Sequence, residues 1–251
     1  KNYLLILLLH KMPEYLIISY LIFIFFVISN LSFFKKKFDN FYSKIILIIF
    51  IIIFPNLLLL VSPYPIYDNL RLFLYLIPYL SIIPAIAIFY LLENLKFISS
   101  KISIFFISIL FVYSIFNFFS LTPYQYTYLN ILSGKFSESH TKFESDYWGT
   151  SMKELIKKTR FESNGLKKIA VCGMAKGRVK YYLKKFNLDN IKVVSVNDNF
   201  DYIIMTNRVF RNPNIEKLTD LKTCYDQFPG NTISSVSRKG LIISMIRDNN
   251  I

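Results

Sequence analysis

The chain predicts a multi-pass α-helical membrane region of about four transmembrane helices followed by a small α/β extracytoplasmic domain. Three observations carry that prediction. Residues 1–121 are runs of Ile, Leu and Phe near spanning length, residues 152–251 switch to short β-branched runs separated by turns, and the loops between the apolar runs alternate between basic and free of Lys and Arg. Hydrophobic residues make up 53% of the chain and aromatics 18%, with mean hydropathy +0.39. That is more apolar mass than one soluble core of 251 residues needs, so the excess meets lipid. The formal charge of +14 on so apolar a chain points to anionic headgroups or lipid-linked phosphates and away from nucleic acid.

The membrane region covers 1–121. Runs near spanning length lie at 14–34, 44–62, 71–92 and 102–121, which predicts four spans. An apolar stub at 3–9 precedes them, too short to span. Lys1 leads straight into it without the charged n-region or small-residue cleavage site of a signal peptide, and we expect the sequence to be the carboxy-terminal piece of a longer protein. The connections KKKFDNFYSK and ENLKFISSK are net basic, whereas SPYPIYDN carries neither Lys nor Arg. The positive-inside rule sets the two basic loops in the cytoplasm of an inner (plasma) membrane and puts SPYPIYDN and everything after Leu121 outside. Pro55, Pro78 and Pro84 fall inside spans, where each removes a backbone donor and kinks the helix or makes its packing irregular.

A junction at 122–151 follows, rich in Tyr and holding the chain's one Trp, Trp148. Aromatics of that kind suit a membrane–water interface or a domain contact. The soluble domain, 152–251, opens with Ser151-Met-Lys-Glu154, the spacing of a capping box, which predicts a helix over 151–160. The alternation then predicts a strand at 168–173, a helix at 175–186, strands at 191–196 and 201–207, and a hairpin with strands at 232–237 and 241–247 turning on Arg238-Lys239-Gly240.

Few residues here suggest chemistry. His10 and His140 stand far apart with no partners at metal-ligand spacing. Glu144 and Asp146 have the spacing of an acid–base pair, and equally of a capped turn leading into the following helix, the reading we favour. Gly173-Met-Ala-Lys-Gly177 joins a strand to a helix but fits neither the dinucleotide fingerprint nor the P-loop. The lysines of the helix after it form a solvated face or rest on headgroups. Cys172 and Cys224 read as two buried thiols, or as a pair if the domain is oxidising. Arg71 opens the third span on the external side, against the positive-inside bias and just after Tyr67, Asp68 and Asn69. A cation there snorkels to the interface, pairs with Asp68, or binds the phosphate of a lipid carrier bidentately.

Two segments add a family resemblance. YDNLRLFLYLIP at 67–78 resembles the Tyr-Asp-Gly-x-Arg-His-Phe-Leu-Phe…Pro segment of polytopic glycosyltransferases related to dolichyl-phosphate-mannose–protein mannosyltransferase. PYQYTYLN at 123–130 and FESDYWGTS at 143–151 resemble the text after the last span in many bacterial members. Asn69 stands where the family has Gly, and Leu72 where it has His. The resemblance implies a type C glycosyltransferase fold and an external site for a polyprenyl-phosphate sugar donor, with Arg71, Asp68 and Tyr67 on the substrate side. It also implies a catalytic carboxylate in an external loop upstream of these residues, so that no catalytic residue is expected here and this piece alone is expected to be inactive.

The expectation is therefore an inverting membrane transferase that needs no metal or cofactor in this part of the chain. Its partners would be a polyprenyl-phosphate sugar, the lipid bilayer and an acceptor glycan, lipid or protein, with no nucleic acid. The competing expectations are a membrane-anchored external binding or assembly module without catalysis, and a polymerase or ligase of surface polysaccharide.

Overall fold

Residues 3–62, 71–94, 100–146, 148–162, 165–209 and 222–249 are described by a computed structural model. They fall into two units, Lys1–Phe119 with Leu129–Ser133, and Ser120–Tyr128 with Gly134–Ile251.

The first unit is helical. Helix α1 (Tyr3–Lys11) stops before Pro13, which has no N–H to continue it, and the chain turns by 102° into α2 (Glu14–Ser29). Asn30, at φ −144° and ψ 56°, ends α2, and the short α3 (Leu31–Lys37) carries Lys35, Lys36 and Lys37 in its last turn, where cations offset the carbonyl end of the helix dipole. Helix α4 (Phe41–Val61) contains Pro55. A 3-10 helix, Arg71–Leu76, leads into α5 (Ile77–Asn94), and α6 (Ser100–Ser120) closes the unit.

Two segments, Phe41–Leu59 and Leu72–Asn94, are long and apolar enough to cross a membrane, and the bent pair α1 and α2 makes a third if it counts as one span. The uniform first span expected at 14–34 is broken at Asn30. Its larger piece, α2, has 16 residues and is about 24 Å long, short of a hydrocarbon core of about 30 Å. Helix α6 has 21 residues, of which Ser108–Ser120 is the apolar stretch found among the described residues.

Helices α2 and α5 run side by side in the same direction: the Tyr20 hydroxyl donates to the Leu80 carbonyl at 2.8 Å, and Asn30 Nδ2 donates to the Tyr90 hydroxyl at 3.1 Å. The first of these bonds has a covalent cause. Pro84 cannot donate to Leu80 four residues back, and Tyr20 supplies the missing donor. At the far end Phe34 stacks on Tyr90 at 5.1 Å and on Phe41 at 5.4 Å, and Lys37 Nζ meets Glu93 Oε1 at 2.8 Å. That ion pair joins the last turn of α3 to the last turn of α5. Outward-facing side chains such as Ile46, Phe50 and Leu58 are more than half exposed, as apolar groups that meet lipid are.

The second unit is a five-stranded mixed sheet in the order β2-β1-β3-β5-β4. β1 (Lys167–Cys172) pairs in parallel with β2 (Ile191–Val193) and β3 (Tyr202–Thr206), while β4 (Thr232–Arg238) and β5 (Leu241–Asp248) form an antiparallel hairpin whose second strand pairs with β3. Side-chain alternation explains the two layers. Ile169, Val171, Tyr202 and Ile204 face α7 (Met152–Lys158) and α8 (Lys176–Lys185), packing on Leu155, Ile156, Val179 and Leu183. Ala170, Cys172, Ile203 and Met205 face the other way, against Cys224 and Tyr225 of α9 (Cys224–Gln227). Both sides are covered, so the central strands read as unbroken apolar runs. The hairpin turns on Lys239 at φ 48° and Gly240 at φ 80°, two left-handed residues as a two-residue turn requires. The second predicted strand, expected at 191–196, ends early: after Val193 the chain bends, and Asp198 Oδ2 accepts from the Ser195 amide at 2.8 Å.

Candidate functional site

Of the sequence-predicted donor residues, the structure describes the backbone of Arg71. Arg71 is the first residue of the 3-10 helix, which carries a kink at Phe73 (φ −116°, ψ 15°), and its side chain lies outside the described residues, as do Tyr67 and Asp68 altogether. Their mutual geometry is therefore carried by the sequence alone.

The junction is described almost throughout, and its parts serve different ends. Leu129–Ser133 belongs to the helical unit. Asn130 Nδ2 donates to the Leu9 carbonyl at 2.6 Å and the Met12 carbonyl at 2.8 Å, and its backbone N–H donates to His10 at 2.9 Å. These are carbonyls of the last turn of α1 and its exit, which have no partner within their own helix. The Glu14 carboxylate accepts from the Ile131 amide at 3.1 Å, and His10 Nδ1 lies 3.0 Å from the Ser133 hydroxyl. The Asn that ends PYQYTYLN is thus a cap for a broken membrane helix.

In the α/β unit, Asp146 is fully buried. One carboxylate oxygen accepts from the Thr150 amide at 2.9 Å and the Thr150 hydroxyl at 3.2 Å; the other accepts from the Ser151 amide at 2.9 Å and the Ser151 hydroxyl. The Ser151 hydroxyl also meets Ser244 Oγ of β5 at 2.6 Å. This corrects the expected capping box: the Ser151 side chain makes no cap bond, and Asp146, five residues upstream, holds the start of α7. Glu144 points elsewhere, 3.8 Å from Arg208 Nε, so the two carboxylates are not brought together as an acid–base pair.

Glu154, the other half of the expected box, accepts from Arg238 at 3.1 and 2.7 Å and from the Tyr124 hydroxyl at 2.8 Å. Arg238 lies over the Tyr124 ring at 4.9 Å and donates through Nε to the Thr122 carbonyl at 2.9 Å. The guanidinium of Arg238, foremost, and the Tyr124 hydroxyl hold the Glu154 carboxyl below its ordinary range. Burial, and then the Asp146 charge, push the Tyr126 hydroxyl well above its own.

The remaining place to look for a ligand is the carboxyl end of β1 and β3, because the chain goes from β1 to β2 on one side and from β3 to β4 on the other, and doubly wound sheets bind ligands at such points. Here that point is filled. Gly173, at φ +82°, follows β1, and a Cβ built on it would lie 2.4 Å from Thr206 Oγ1 and 3.2 Å from Cys224 Sγ. Asn207 accepts from the Ser145 amide at 2.6 Å and donates to the His140 and Phe143 carbonyls at 2.8 and 2.7 Å, tying the junction across the strand ends. Cys172 and Cys224 form a disulfide, with Cα atoms 5.8 Å apart and a sequence separation of 52. Among the described residues no three His, Cys, Asp or Glu side chains gather to hold a metal ion.

Asn207, Ser244, Tyr124 and Arg238 were not legible as partners in the sequence. Only Thr223-Cys-Tyr-Asp226, a capping box that does form at the start of α9, carried a local signal that sequence reading passed over. No family model, curated protein or solved structure matches this chain.

Proposed function

We propose that the chain is the carboxy-terminal part of a membrane glycosyltransferase that takes a sugar from a polyprenyl-phosphate donor on the extracytoplasmic side. The observation that carries the reading is Arg71, a cation at the first residue of a kinked 3-10 turn that opens the apolar segment Leu72–Asn94. A guanidinium matches a lipid phosphate in charge and geometry. Two features support the external placement. The ion pair between Lys37 and Glu93 joins the lysine-rich end of α3 to the end of α5 away from Arg71, the end that the positive-inside rule would put in the cytoplasm. The disulfide between Cys172 and Cys224 belongs to an oxidising compartment. On this reading α6 supplies a fourth span. A carboxylate from another part of the full-length protein deprotonates the acceptor hydroxyl, and Arg71 stabilises the departing lipid phosphate.

A second reading, an external assembly module without chemistry, has its own support in the α/β unit, whose ligand-binding end is closed by Asn207 and the disulfide. Transfer assays on the full-length protein separate the two. Arg71→Ala is expected to lower transfer from a polyprenyl-phosphate sugar by ~100-fold or more, and a wild-type protein that neither binds nor consumes such donors refutes the transferase.

A further inference from the structure

Asn56 is the residue of the helical unit whose position is hardest to explain by packing. It lies in α4 and is only 4% exposed, yet neither its Nδ2 nor its Oδ1 has a hydrogen-bond partner. A buried amide left unpaired on both atoms is destabilising, more so in a unit surrounded by hydrocarbon. Leucine would remove that cost with similar volume.

Its surroundings say what could satisfy it. Ile52, Asn56 and Leu59 follow helical spacing along one face of α4, and Ile52 and Leu59 pack in the cluster that contains Phe73, Leu76 and Leu80. Asn56 therefore lies on the face of α4 that packs with Leu4 and Leu8 of α1 as well as with Phe73 and Leu76 of the 3-10 helix and Leu80 of α5. It lies five residues before Val61, the last of α4, about 8 Å from that helix end. The adjacent Pro55 cannot donate to the Ile51 carbonyl, which adds a second acceptor lacking its helical donor on the same turn.

The unmet groups are a donor and an acceptor side by side. An ionised phosphate only accepts, and would satisfy Nδ2 alone. A hydroxyl both donates and accepts, and a carboxamide paired with sugar hydroxyls uses both of its atoms. We propose that Asn56 is a sugar-reading residue, its carboxamide binding a hydroxyl of the saccharide carried by the lipid-phosphate donor while Arg71 holds the phosphate. The inference rests on the transferase reading and adds to it the place where the sugar is recognised.

The test measures binding of polyprenyl phosphate and of its mannosyl, glucosyl and galactosyl derivatives to the full-length protein in nanodiscs. Wild type, Asn56→Leu and Asn56→Ala are compared, with thermal unfolding of each. Wild type is expected to bind at least one glycosylated probe about tenfold more tightly than bare polyprenyl phosphate. Both variants should bind bare polyprenyl phosphate as wild type does and lose that preference, and Asn56→Leu should unfold at a higher temperature than wild type. The inference is overturned if either variant keeps the sugar preference, if wild type binds all four probes equally, or if Asn56→Leu is less stable than wild type. Wild type that binds none of the probes removes the transferase reading as well.

Discussion

Asp146→Ala is the sharpest test of how the junction works. The wild-type carboxylate is fully buried and accepts from the amides and hydroxyls of Thr150 and Ser151. Alanine leaves the two amides at the start of α7 without this acceptor, that of the fully buried Ser151 foremost. Loss of a helix cap costs about 1–2 kcal/mol, and each buried donor left without a charged acceptor costs about 1–3 kcal/mol. Because these bonds share one acceptor and are not additive, the net expectation is a loss of about 3–5 kcal/mol. For a domain of this size that lowers Tm by roughly 10–20 °C. Trp148, two residues away, reports the unfolding by fluorescence in detergent, and amide exchange at Thr150 and Ser151 reports the cap itself. Asp146→Asn keeps the shape and one acceptor, and should lose about half as much. A Tm within about 2 °C of wild type, with Thr150 and Ser151 still protected, refutes the cap. A catalytic Asp146 would show the reverse pattern, with normal stability and no transfer.

Three further outcomes follow from other contacts. Cys172→Ser, or reduction of wild type, opens a link spanning 52 residues and should cost about 4 kcal/mol, read as a drop in Tm that added reductant does not enlarge in the variant. Gly173→Ala should destabilise the α/β unit by about 2–4 kcal/mol, since the new methyl lies 2.4 Å from Thr206 Oγ1 on a left-handed backbone; Thr206→Ser, which keeps that oxygen, should not rescue it. The third concerns acid. Because Arg238 lowers the Glu154 carboxyl below its ordinary value of 4.5, the contribution of Glu154 is fully present above about that pH and is lost as pH falls through the lower folded value. Glu154→Gln should therefore flatten the loss of stability below pH ~4.5, and an unchanged acid limb in chemical denaturation contradicts the assignment.

Much of the α/β unit was legible because its signals are local. Strands expected at 168–173 and 201–207 fall at Lys167–Cys172 and Tyr202–Thr206, and the hairpin turns where Gly240 permits a left-handed residue. Interactions between distant residues were not legible. Nothing near Ser151 shows that its hydroxyl will bond Ser244 rather than cap its own helix, or that Glu154 will turn to Arg238, 84 residues away. Hydropathy gave the composition of the membrane region but not its breaks: a window over 14–34 averages across Asn30, and no window sees that Tyr20 serves the carbonyl that Pro84 leaves unbonded. Arg71 was singled out from charge and position alone, while Asn56, one polar residue in an apolar run, gains its meaning only from its burial and its unpaired atoms.

The capping of α1 by Asn130 bears on how such a chain can be divided. Residues 129–133 belong to the helical unit, while the stretches on either side, Ser120–Tyr128 and Gly134 onward, belong to the α/β unit. A soluble version beginning at Gly134 loses Tyr124, which binds Glu154 and stacks with Arg238, and one beginning at Ser120 carries Asn130 away from the carbonyls it serves. The helices, cut before Ser120, lose the donor at their own bend. No single cut leaves both parts whole, so gene fission or domain shuffling at this boundary would damage one product or the other, and the two units are bound to be inherited as one piece.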